Sequence, residues 1–114
     1  MRKQIIEFAA LEVATQIRTV EDCIEGALIE VAELQTKMLR ARSAAGIATA
    51  TGHAAFEQLA STVQALVAAR GGMANCHGEL RDAKQFVPGL RTVSWGDGEE
   101  CPPKVATADL RIVA

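Results

Sequence analysis

Ten apolar positions in the first third of the chain, Ile6, Ala10, Val13, Ile17, Val20, Ile24, Ala27, Val31, Leu34 and Met38, recur at alternating spacings of four and three. Such alternation is the a/d seam of a helix that lays one stripe against a neighbouring helix, and it is sustained here through about four and a half heptads. A strand cannot use this pattern, because its faces alternate every two residues. The spacing therefore predicts one continuous helix from about residue 3 to about residue 43. Gly26 lies inside it, but the seam passes from Ile24 to Ala27 in phase, where a turn would disturb it. Lys37, Arg40 and Arg42 fall in the last turns, where cations complement the negative end of the helix dipole. Gly46 suits a C-terminal cap, which takes the left-handed conformation that glycine adopts without steric cost.

A second seam runs through Phe56, Leu59, Val63, Leu66, Met73, Leu80 and Val87, with the series from Leu59 to Val87 containing four successive steps of seven. It predicts a second helix from about residue 50 to about residue 87, with Thr49 or Thr51 as its N-cap and Pro88-Gly89 as its stop. Gly71-Gly72 is the weak point, since glycine in a helix interior costs about 1 kcal/mol relative to alanine. The heptad phase survives across the pair, so a kink and a straight continuation are both compatible with the pattern. From Pro88 to Ala114 the character changes to a turn-rich tail with Trp95, Gly96-Asp97-Gly98, Pro102-Pro103 and an apolar end at Leu110, Ile112 and Val113. Alternation of Val93 with Trp95, and of Leu110 with Ile112, allows one or two short strands there. The expected organisation is a helical hairpin over residues 1–87 followed by the tail over 88–114.

The fold class is all-α, a long antiparallel hairpin. A helix of about 40 residues is roughly 60 Å long, so two of them form a rod. A turn near residues 44–49 pairs positions whose numbers sum to about 92, which sets Val20 near Gly72, Val31 near Ser61 and Arg70 beside Asp22. Such a hairpin carries more apolar surface than it can bury alone. Phe8, Leu11, Leu28, Ile29 and Leu39 lie off the first seam, and Glu57 is the only charged residue from Ser43 to Ala69. A second apolar face calls for a partner, and the economical one is a second copy, giving a homodimeric four-helix bundle. Ala44, Ala45, Ala48, Thr49 and Gly52 would let backbones approach closely near the turn, although alanine also serves simply as the best helix former.

Composition excludes several classes. Twelve Lys and Arg against 14 Asp and Glu give a formal charge of −2, without the basic surplus that neutralises phosphates, so no nucleic-acid partner is expected. The weakly charged stretch 43–69 is built largely of Ala, Gly, Ser and Thr, too polar for a membrane span. Met1, Arg2 and Lys3 are followed by Glu7, Glu12 and Arg18, which interrupt any signal-peptide core. Cys23, Cys76 and Cys101 are odd in number and far apart, the pattern neither of a disulfide framework nor of a zinc finger. A cytoplasmic location is the resulting expectation.

No constellation amounts to an active site, and no catalytic, cofactor-binding or metal-ligating residue is assigned. His53 and Glu57 stand four apart on one helical face, and Glu33 could approach them, but the paired ExxH motifs of di-metal bundles are missing. Cys76 and His77 are adjacent, so on a helix they point about 100° apart and cannot act as nucleophile and base together. His77 is expected at the seam, and Cys76 as a small buried hydrophobe. Cys23, near the middle of the first helix, would meet its symmetry mate if two first helices pack antiparallel about their midpoints. Glu21, Asp22, Glu25, Glu30 and Glu33 form an acidic face, from which Asp22 is the expected partner of Arg70. Gly96-Asp97-Gly98 reads as a turn, and Trp95 as the anchor that docks the tail onto the helices.

Trp95-Gly96 lacks the intervening residue of the Trp-x-Gly turn in small secreted helical hairpins, and His53 lacks the Lys-Gly step of phosphotransfer helices. The alanine-rich amphipathic helices resemble in composition, without a shared motif, the phasins that coat storage granules. The first functional reading is a non-enzymatic scaffold, adaptor or regulatory partner that acts through self-association. A further protein partner would meet its free helical face or its tail. The alternative is an amphipathic coat protein on a lipid or granule surface, and the third reading is a small metal- or thiol-dependent enzyme or sensor.

Overall fold

The computed structural model describes residues 2–87 and 89–90. Two long helices pack as an antiparallel hairpin, as the seams require: α1 (Arg2–Ala45) and α2 (His53–Ala83), the latter followed by a 3-10 turn over Lys84–Phe86. No strand occurs among the described residues. The strands expected at Val93/Trp95 and Leu110/Ile112, the Gly96-Asp97-Gly98 turn and Cys101 lie outside them.

α1 runs uninterrupted through Gly26 and stops where glycine permits, with Gly46 at φ 66 and its N–H donating to the Ser43 carbonyl at 3.2 Å. α2 starts about three residues later than the seam alone suggests. The connection is tight, with Thr51 N–H donating to Ala48 O at 3.0 Å, and Gly52, at φ 76, stands immediately before His53. A left-handed glycine thus leads into α2, where a threonine cap was expected at Thr49 or Thr51.

Gly71 and Gly72 sit inside continuous α-helix, and neither has positive φ, so the helix does not break at the pair. At its far end α2 gives way at Ala83 to the tighter 3-10 turn, short of the predicted limit near residue 87. Val87 is extended, at φ −103 and ψ 119, because the ring of a following proline clashes with a helical predecessor. Gly89, at φ 88, and the Leu90 N–H bond to Val87 O at 3.2 Å then complete a reversal.

Two compact units divide the chain. Thr19–Gly72 forms a turn unit, and the residues before and after it form a terminal unit, with the boundaries after Arg18 and Gly72. In the turn unit the seam residues Val20, Ile24, Ala27, Val31 and Met38 of α1 and Phe56, Leu59, Val63 and Leu66 of α2 are all partly shielded, while Leu34 is exposed. Arg70 Nε donates to Glu25 Oε1, not to Asp22. The partner moves by three residues because the longer connection delays the start of α2. Arg42, expected only to complement the helix dipole, instead donates from Nη2 to the Ala48 carbonyl and lies over the Phe56 ring, 5.5 Å from its centroid.

In the terminal unit Ile17 and His77 face a common interior, and Leu90 joins them from the reversed segment. These are the three most shielded side chains among the described residues, at 8%, 5% and 4% exposure.

Candidate functional site: the cavity around His77

A cavity of about 200 Å³ occupies the terminal unit. α1 contributes Ala10, Val13, Ala14 and Ile17 to its wall, one stripe at helical spacing. Opposite, α2 contributes His77, Leu80, Arg81 and Ala83, and the segment after it adds Lys84, Val87 and Leu90. The hollow has a simple origin, since Ala10 and Ala14, two turns and one turn before Ile17 on the same helical face, present only methyl groups that do not reach across to fill it. An adjoining cleft is lined by Arg2, Lys3, Ile6 and Gly89. The Lys3 methylenes lie along Gly89, where a Cβ built on the glycine would be 3.4 Å from Lys3 Cγ.

The wall is thus mainly aliphatic, with one buried imidazole and two cationic side chains. Arg81 Nε is 3.6 Å from the Asp82 carboxylate and half-exposed. Among the described residues no acidic side chain lines either hollow. Apolar cavities of this size take up apolar groups in preference to water, and the cations add a preference for a group that carries negative charge beside its apolar part.

The geometry does not bring the other candidate residues into this site. Cys76 is exposed although its neighbour His77 is buried, which corrects the expectation of a buried thiol and matches the angular separation of adjacent helical residues. Cys23 is exposed as well. In the turn unit His53 Nε2 lies 3.3 Å from Glu57 Oε1, both side chains open to solvent. Glu33 does not complete a ligand set with them, and no group of three or more His, Cys, Asp or Glu suited to a metal ion occurs among the described residues. None of the helices described is long and apolar enough to cross a membrane.

Sequence reasoning missed the cavity itself and the role of Leu90. The available signal was Ala10, a small residue on the first seam, with Ala14 one turn further along the same helical face, in the stretch that faces a histidine of the opposing seam. No known protein family matches the chain, and searches of curated proteins and of solved structures likewise find no match.

Proposed function

We propose that the chain works by association, without catalysis of its own, and that its first partner is a second copy, two hairpins pairing as a four-helix bundle. The observation that carries this reading is the imbalance of burial. Eleven large hydrophobic side chains are exposed, whereas only Ile17 and Leu90 form a buried apolar core among the described residues. Ordering a residue costs about 1.5 kcal/mol in conformational entropy, and half-covered side chains along a two-helix seam return too little to offset it. A second copy supplies the missing cover with matching chemistry. Ile29 and Val67, exposed at 62% and 54%, are apolar positions in the turn unit. From Ser43 to Ala69 only Glu57 carries formal charge, so two copies meet there with little like-charge repulsion. The assembled dimer would then offer its remaining helical face, as scaffold or adaptor, to further proteins in the cytoplasm.

Solution mass by light scattering on a sizing column, across a concentration series with and without reductant, tests the reading. The expected result is a dimer that does not depend on reductant and that the double substitution Ile29→Lys/Val67→Lys converts to monomer. A compact, folded monomer at every concentration would overturn it. A monomer that gains helicity on vesicles would replace it with the surface-coating alternative.

A further inference from the structure

The cavity in the terminal unit has an occupant within the same chain. We propose that it is the docking site of Trp95, with the acidic residues that follow, Asp97, Glu99 and Glu100, set against the basic side chains at its margin. This goes beyond self-association and does not depend on it.

Three observations converge. The first is size and character: about 200 Å³ lined by Val13, Ala14, Ile17 and Leu80 suits one aromatic ring system, since a cavity of about 150 Å³ is enough to bind benzene. The chain has one tryptophan, and Trp95 is the only aromatic residue after Phe86. The second is where the described chain leads. Leu90 is itself part of the cavity wall and almost fully shielded, so the chain that follows leaves from the wall. Trp95 stands five residues beyond Leu90, a reach of at most about 18 Å. That short tether keeps the indole close to this hollow at a high effective concentration.

The third observation is charge. Arg81 and Lys84 line the cavity, and Arg2 and Lys3 line the adjoining cleft, while among the described residues neither lining includes a carboxylate. The five residues after Trp95 are Gly96, Asp97, Gly98, Glu99 and Glu100, which place three carboxylates beside the indole and no cation. An indole followed by a cluster of carboxylates matches an apolar hollow with a cationic margin, in order and in spacing. The docked ring would also cover Val13 and Leu80, which are otherwise 48% and 42% exposed.

Because Trp95 is the chain's single tryptophan, its fluorescence reports the contact without labelling. In the full chain we expect emission blue-shifted from that of a free tryptophan amide, and acrylamide quenching several-fold weaker, both unchanged on dilution. Substituting Asp97→Asn, Glu99→Gln and Glu100→Gln together leaves the helices untouched and should raise quenching toward the free value. Ala14→Phe, which fills the cavity, should do the same, whereas Ala68→Phe in the turn unit should not. If Ala14→Phe loses its helical circular dichroism, the acidic triple substitution carries the test instead. Quenching of the parent chain equal to that of the free amide would overturn the proposal. So would protection that is lost on dilution, which would seat the indole in a second copy, or protection that survives either the filled cavity or the neutralised tail.

Discussion

In the terminal unit Ile17, His77 and Leu90 are shielded from water, whereas in the turn unit no residue reaches comparable burial, although its seams are just as regular. The sequence pattern is the same in both, so the difference comes from the number of segments packed together. Two helices side by side cover only the facing stripe of each, and every seam residue keeps an open flank. Where the chain turns back after α2 and Leu90 packs onto the pair, that flank is closed and true interior appears. The turn unit relies instead on polar contacts, Arg42 to the Ala48 carbonyl and over Phe56, and Arg70 to Glu25. An amphipathic hairpin therefore specifies who its neighbours are without supplying enough of them.

Truncating a seam residue in each unit tests that contrast most directly. Ile17→Ala should cost about 2–3 kcal/mol by chemical denaturation, as for a large-to-small change at a buried site that is already beside a cavity. Val31→Ala, at a half-covered seam position, should cost only about 1 kcal/mol. Equal costs would break the contrast and show that something beyond the single chain, such as a second copy, covers the turn unit. A concentration-dependent midpoint would then identify it as association.

Next in size is Arg42→Ala, which should destabilise by about 1–2 kcal/mol through loss of a charged hydrogen bond to the turn and of the ring contact. A thermal melt showing no change would mean that the turn holds itself through its backbone bonds alone. The glycines follow, and they should move in opposite directions. Gly46→Ala forces a side chain into the left-handed region and should cost about 1 kcal/mol. Gly71→Ala and Gly72→Ala lie in ordinary helix with open space around a new Cβ, so each should stabilise by roughly 0.5–1 kcal/mol in denaturant titrations. Loss of stability at Gly71 or Gly72 would reveal a close approach by another chain.

The smallest effect is expected at the ion pair. Both side chains are more than half exposed, so Arg70→Met should change stability by no more than about 0.5 kcal/mol in either direction. A larger loss would make the pair a determinant of register, not a solvated contact.

The two seams in the sequence determined the fold class, the number of helices, their antiparallel pairing and the halt of α1 at Gly46, because helical periodicity and backbone permissiveness are local properties written in consecutive residues. The passage of α2 through Gly71-Gly72 was left open by the same reasoning, since a modest propensity cost can be offset by packing that one sequence window does not contain. Tertiary structure alone decided that Arg70 meets Glu25, that Arg42 caps the turn over Phe56, and that Ala10 and Ala14 leave a hollow beside His77. Register depends on the length of the connection, to within a single residue, and a cavity depends on what fails to meet across a gap. Neither quantity is carried by the period of one helix, and both depend on the segments brought against it.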